Sequence, residues 1–146
     1  MFRGQFEHTI DSKGRISIPS RFREILSKKY DDRLVITNYD HCLAAYPNEE
    51  WLEIEKKLST LPQMNRDVQA YYRFIYSSAI DCVIDKQGRL LIPQPLRDHA
   101  NLQKDVVLVG EMKKIEIWAK ERWEVENKKI REGFDQIRDT MASMGM

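Results

Sequence analysis

Residues 10–23 read IDSKGRISIPSRFR, and residues 84–97 read IDKQGRLLIPQPLR. Seven of the fourteen aligned pairs are identical, whereas average amino-acid usage would give about one by chance. An internal repeat of this kind indicates one structural unit that is used twice in the chain. The identical pairs are Ile10 and Ile84, Asp11 and Asp85, Gly14 and Gly88, Arg15 and Arg89, Ile18 and Ile92, Pro19 and Pro93, and Arg23 and Arg97.

The repeat continues more faintly on the C-terminal side of each stretch. The apolar runs at 34–37 and 43–46 align with those at 106–109 and 115–118. A unit of about 45 residues rarely folds alone, so we expect the two copies to share one core. The predicted organisation is a first repeat at 5–50, a helical connector at 51–78, a second repeat at 79–122 and a helical tail at 123–146.

Within each unit the pattern predicts a β-hairpin followed by a helix. Apolar and polar residues alternate over 6–10 and over 15–18, which is typical of half-buried strands. Between them, Gly14 closes a three-residue loop that needs a positive φ, which glycine adopts without strain. Pro19 ends the second strand and suits the first turn of a helix. The order of elements indicates an α+β fold with short antiparallel strands.

The most informative feature of the repeat is Asp-x-x-x-Arg. Asp11 and Arg15 flank the loop, so we expect the carboxylate to accept a backbone N–H of the turn and to orient the guanidinium. One interpretation is a plain hairpin closed by a surface ion pair, which contributes about 0–1 kcal/mol. However, Asp85 and Arg89 repeat the arrangement while the residues between them change. Arginine-tipped ribbons suit the DNA major groove, and basic loops suit phosphates.

Composition excludes several classes of protein. The chain has 146 residues, a net charge of +1, two cysteines and no apolar run of the length that spans a membrane. No export signal is evident at the N-terminus, so we expect a cytoplasmic protein without a disulfide framework. The charge is segregated, because residues 1–30 contain seven basic and three acidic side chains. Such segregation creates a local field that the net charge hides.

Other residues of chemical interest give weaker signals. The adjacent His41 and Cys42 lack the spacing of a zinc site, and no phosphate-binding loop or nucleophile–base motif is present. We therefore expect no enzyme, no metal, no cofactor and no small-molecule substrate. The tail stripe from Ile130 to Met141 is predicted to pack either on a neighbouring subunit or on its own chain. The tryptophans lie on apolar stripes and are expected to pack in a core or a subunit contact: Trp51, Trp118 and Trp123.

The two motifs, the opening MFRGQFEH and the later GEMKKIEIWAKERW resemble the MraZ family of bacterial transcriptional regulators over nearly the whole chain. More distantly, each unit resembles the AbrB/SpoVT swapped-hairpin DNA-binding domain. The resemblance implies one double-split β-barrel formed by both units, with peripheral helices and ring-like homo-oligomers. It also implies binding to repeated promoter elements of the division and cell-wall gene cluster, with repression of that operon and association with the nucleoid.

The resemblance implies that the Asp-x-x-x-Arg motif of both copies binds DNA. Lys13 has no basic match at the same position of the second copy, where Gln87 stands, so we expect the first turn to dominate. The alternatives are a non-catalytic assembly scaffold, and an antitoxin, which the structured helical tail disfavours. The predicted residues are Lys13, Arg15, Lys86 and Arg89 for DNA binding, Asp11, Gly14, Asp85 and Gly88 for orienting the hairpins, and Arg3 and Arg21 as further candidate phosphate contacts.

Overall fold

The computed structural model describes residues 1–146 and contains eight strands and six α-helices. The strands are β1 (Phe2–Thr9), β2 (Arg15–Ser17), β3 (Arg33–Tyr39), β4 (Cys42–Pro47), β5 (Ile80–Val83), β6 (Arg89–Leu91), β7 (Asp105–Met112) and β8 (Lys114–Ala119). The helices are α1 (Ser20–Lys29), α2 (Asn48–Ser59), α3 (Arg66–Tyr71), α4 (Gln94–Ala100), α5 (Lys120–Glu132) and α6 (Phe134–Ser143). The predicted α+β class is therefore confirmed.

The two repeats are interlocked. Six strands form one antiparallel sheet in the order β1-β7-β8-β4-β3-β5, and β2 and β6 form a separate two-stranded ribbon. The first strand of each repeat pairs with a strand of the other repeat, because β1 pairs with β7 and β5 pairs with β3. Neither repeat could form these ladders without the other.

The predicted hairpin is correct in its turn but wrong in its strand pairing. β1 and β2 meet only at an isolated bridge between Ile10 and Ile16, and β2 pairs instead with β6 of the second repeat. Alternation defines which side chains of a strand face the core, but it does not name the neighbouring strand. The exchange buries Ile16 and Leu90 side by side while their flanking residues stay at the surface.

A single cluster of 21 buried residues lies between the sheet, the ribbon and the first helix of each repeat. Phe22 of α1 and Leu96 of α4 occupy equivalent places in it and are almost fully buried. Each such side chain contributes about 1.5–3 kcal/mol through removal of its apolar surface from water. The shared core expected from the size of the repeats is present.

The predicted packing of the tryptophans is also confirmed. Trp51 packs with Val35 and Ile75, and Trp118 packs with Val107 and Val109 in a second small cluster. Trp123 of α5 is half-buried against Trp118, with ring centroids 5.5 Å apart.

The connector departs from a regular helix. A π-helical turn at Tyr72–Tyr76 follows α3. Ile75 is buried there, and its carbonyl accepts a hydrogen bond from Thr37, whereas Tyr71 at the end of α3 is 42% exposed. The wider turn changes the angular position of the residues that follow it, so a regular helical spacing does not describe this segment.

The tail forms α5 and α6, which have no buried residue. Ile130, Phe134, Ile137 and Met141 are each at least 36% exposed. None of the helices combines the length and the apolar character needed to cross a membrane.

Candidate nucleic-acid interface

The Asp11 carboxylate organises the first turn. Oδ1 accepts hydrogen bonds from the backbone N–H groups of Lys13 at 3.0 Å and Arg15 at 2.9 Å. Oδ2 accepts the Nε–H of Arg15 at 2.7 Å. The backbone closes the turn as well, since Gly14 N donates to Asp11 O and Asp11 N donates to Arg15 O, both at 3.0 Å. One carboxylate thus holds both the loop and the guanidinium.

The second turn reproduces this geometry. Asp85 Oδ1 accepts from the backbone N–H groups of Gln87 at 2.8 Å and Arg89 at 2.9 Å. Asp85 Oδ2 accepts the Nε–H of Arg89 at 3.1 Å. The φ angles are +89° at Gly14 and +76° at Gly88, which explains why both copies retain glycine.

The hydrogen bonds of the turns keep both carboxylates ionised. The backbone N–H of Arg15 is the main cause that lowers the pKa of Asp11 to about 2, and the guanidinium of Arg15 lowers it further. The backbone N–H of Arg89 likewise lowers the pKa of Asp85. A carboxylate with a lowered pKa is a poor general base near neutral pH, so these residues are suited to orienting cations rather than to proton transfer.

Arg15 and Arg89 lie on the same outer face of one ribbon. In the β2–β6 register, Arg15 is opposite Leu91 and Arg89 is opposite Ser17, whereas Ile16 and Leu90 form the buried pair between them. Opposite residues in a strand pair share a face. The guanidinium group of each arginine donates only its Nε–H within the chain, so the terminal Nη groups are available to a ligand. Free guanidinium forks of this kind suit bidentate recognition.

Each turn is supported by an arginine of the other repeat, a role that sequence reasoning missed. A Cβ atom built on Gly14 would lie 2.7 Å from Arg97 Cζ, and one built on Gly88 would lie 2.7 Å from Arg23 Nη1. Arg23 Nε also donates to Ile18 O at 3.1 Å. The available signal was the identity of Arg23 and Arg97 in the repeat. The pairing of each with the opposite turn was not visible in the sequence.

The ribbon is extended across the two turns by reciprocal backbone bonds. Ile18 N donates to Gly88 O and Ile92 N donates to Gly14 O, both at 2.8 Å. The two turns are therefore joined into one rigid surface, which we call the ribbon face and define by Arg15, Ser17, Arg89 and Leu91 with the adjoining turns 11–14 and 85–88.

The other predicted residues lie at different distances from the ribbon face. Lys13 and Lys86 are exposed within the two turns. Arg21 is exposed in the first turn of α1, two residues before Arg23. Arg3 lies near the start of β1, about 20 Å of extended strand from Thr9 at the turn end. Lys13 and Lys86 therefore belong to the ribbon face, Arg21 lies on the helix that follows it, and Arg3 lies at the far end of β1.

The site offers cations and hydrogen-bond donors rather than a reaction centre. No group of three or more His, Cys, Asp and Glu side chains is placed to hold a metal ion. Cys42 and Cys82 are buried, free thiols, and burial raises the pKa of both. Two interlocked strand–turn–strand–helix units with arginine turns on one ribbon define a tandem swapped-hairpin protein.

Comparison with known proteins identifies the family. Residues 1–74 and 75–144 each match the MraZ protein family, which is described as antitoxin-like, and the chain belongs to this family. Proteins named transcriptional regulator MraZ are similar over the whole length. The protein of Desulforamulus reducens is 44% identical over 145 residues (99% of both chains). That of Pediococcus pentosaceus is 45% identical over 146 residues (100% of both), and that of Limosilactobacillus reuteri is 47% identical over 141 residues (97% of both).

Proposed function

We propose that this chain is a sequence-specific DNA-binding transcriptional regulator. It binds tandem promoter elements through the ribbon face as a ring-like homo-oligomer, and it represses its own division and cell-wall operon. The names of its relatives support the regulatory role. Such a protein acts on the nucleoid.

The observation that carries this proposal is the common outward face of Arg15 and Arg89. A two-stranded ribbon fits the major groove, where arginine pairs bidentately with guanine O6 and N7. Because Asp11 and Asp85 hold only the Nε–H groups, the Nη groups remain available for such contacts. Lys13 and Lys86 at the turns are suited to phosphates, which provide sequence-independent affinity.

The fold around the ribbon supports a split-barrel interpretation. β1 and β5 are the two edge strands of the sheet, and each leads through a turn into one strand of the ribbon. Ile16 and Leu90 belong to the same core cluster as the sheet residues. We infer that the ribbon covers the sheet as the second half of a double-split barrel.

DNA binding is tested by fluorescence anisotropy with duplexes from the region upstream of the protein's own gene and with shuffled duplexes. We expect tighter binding to the upstream sequence. Arg15→Ala should weaken specific binding by about tenfold or more, which corresponds to loss of one bidentate contact. Arg66→Ala, which removes an exposed arginine of α3, is the matched control and should bind as the wild type does. Absence of salt-dependent affinity for any duplex would instead favour an assembly scaffold.

Repression and site repetition require a separate test. Footprinting upstream of the protein's own gene should show protection at regularly repeated elements that overlap the promoter. A transcriptional reporter from the same region should be less active when the wild-type protein is present than when Arg15→Ala is present. Protection of a single element, or higher reporter activity with the wild type, would contradict this part of the proposal.

The exposed tail supports self-association. Phe134, Ile137 and Met141 follow one another at spacings of three and four residues, which places them on one face of α6, and Ile130 is exposed near the end of α5. An apolar stripe that the chain itself leaves uncovered is suited to packing against another subunit.

Native mass spectrometry tests the tail contact. Ile137→Asp places a charge in the stripe and should reduce the oligomer to smaller species, while circular dichroism retains the folded spectrum. Asp139→Asn lies two residues further on, away from the stripe, and should leave the mass unchanged. An unaltered oligomer in Ile137→Asp would show that subunits associate through another surface.

A further inference from the structure

The two halves of the ribbon face are chemically different. The cross-strand pairs are Arg15 with Leu91 and Arg89 with Ser17. Each pair therefore combines one guanidinium with one neighbour, which is an apolar side chain in one pair and a hydroxyl in the other. Since Ser17 and Leu91 occupy equivalent positions in the repeat, this difference breaks the internal symmetry of the face.

The Leu91 side chain does not belong to the hydrophobic core of the chain. Its side of β6 points outward, and the residue is 57% exposed, whereas its neighbour Leu90 is fully buried and occupies the core position. Isolated exposed leucines are ordinary on protein surfaces. What distinguishes this one is its position opposite Arg15 and two residues along β6 from Arg89, on the face proposed for DNA.

The major groove presents one apolar group on its base edges, the C5-methyl group of thymine. Side chains of opposite residues in a strand pair are about 4.5–5.5 Å apart at Cβ. Successive bases along one DNA strand are about 3.4 Å apart. A base contact made by Leu91 would therefore lie one or two steps from the base that Arg15 contacts.

We propose that Leu91 is a specificity-determining residue that packs against the methyl group of a thymine next to the guanine bound by Arg15. The inference rests on the proposed DNA-binding function and adds a ligand group to it. Ser17 offers no equivalent apolar surface, so only one half of the ribbon face recognises a thymine methyl group. Each DNA element is therefore bound in one orientation relative to the protein.

The test removes single methyl groups from the DNA. A preferred duplex is selected from a random library with the full-length protein, and each thymine is then replaced in turn by deoxyuridine, which retains pairing with adenine but lacks the methyl group. Wild-type affinity should fall about fourfold at one thymine position, as expected for loss of one buried methyl contact.

The matched variants are Leu91→Ser, which makes both halves alike, and Ser17→Leu, which adds an apolar group to the other half. Leu91→Ser should bind the thymine duplex about fourfold or more weakly and be insensitive to deoxyuridine at that position. Ser17→Leu should gain a second sensitive position beside the base contacted by Arg89. Circular dichroism melts should be unchanged in Leu91→Ser because the side chain is exposed.

The outcomes separate the two levels of the proposal. If the protein binds duplexes but no thymine position is sensitive, or if Leu91→Ser retains the sensitive position, the role of Leu91 is wrong while the regulatory function stands. If the wild-type protein selects no duplex at all, both proposals fail.

Discussion

The guanidinium of Arg97 lies against the turn that contains Gly14, although the two residues belong to different repeats. Arg23 has the same relationship to Gly88. Two separate features thus require glycine at each turn. One is the positive φ, and the other is the close approach of a side chain from the other repeat. The support of each turn depends on assembly of both repeats.

Gly14→Ala should destabilise the protein by about 1–3 kcal/mol, because alanine is strained at a φ of +89° and its Cβ would overlap Arg97. The measurement is urea unfolding followed by tryptophan fluorescence at a fixed protein concentration, since oligomerisation changes apparent stability.

A double-mutant cycle separates the strain from the overlap. In an Arg97→Ala background the overlap is absent, so Gly14→Ala should cost less than it does in the wild type. Strictly additive free energies of unfolding would show that Arg97 does not contact the turn in solution.

The turns were predictable because their determinants are local. Asp11, Gly14 and Arg15 lie within five residues, and the hydrogen bonds and positive φ that they require follow from those residue types. Pairing of β2 with β6 is a contact between segments more than 70 residues apart, and alternation alone does not specify it. The same exchange of strands explains a further difference. The sequence shows Arg23 and Arg97 as an identical pair, but it does not show that each lies against the turn of the other repeat.

The low pKa of Asp11 leads to a prediction about its origin. Since the backbone N–H of Arg15 is the largest cause, Arg15→Ala should leave the pKa of Asp11 below 3.8, although above the wild-type value of about 2. The contribution of this carboxylate to stability is present above pH 3.8 and is lost as the pH falls toward 2. Carbon-detected NMR titration of the Asp11 carboxyl group measures the pKa directly. A value of 3.8 in Arg15→Ala would assign the whole shift to the guanidinium.

Glu116 should make stability depend on pH in the opposite direction. Burial is the main cause that raises its pKa to about 7, and the neighbouring Glu111 carboxyl raises it further, against the opposing hydrogen bond from Trp118. A raised folded-state pKa contributes stability below pH 4.5 that is lost as the pH rises through about 7. Thermal melts of the wild type should therefore show a lower Tm at pH 8 than at pH 5.

Glu116→Gln keeps a polar side chain of similar size without the titration, so its Tm should fall less over the same range. Glu24→Gln, at an exposed position of α1, serves as the control and should follow the wild type. Equal changes of Tm in wild type and Glu116→Gln would mean that Glu116 does not titrate in this range.

The difference between the two turns gives a prediction for salt dependence. Lys13 is matched by Gln87 in the second repeat, so Lys13→Gln gives the first turn the residue of the second, and Gln87→Lys does the reverse. Each phosphate contact contributes about 0.9 to the slope of log K against log[salt] on duplex DNA. Lys13→Gln should therefore lower the magnitude of the slope by about 0.9. It should also weaken binding by about the same factor for every DNA sequence, because a phosphate contact does not depend on the base. Gln87→Lys should raise the magnitude by about the same amount if the second turn also lies against the backbone. An unchanged slope in Gln87→Lys, together with a reduced slope in Lys13→Gln, would show that the duplex is bound mainly by the first turn.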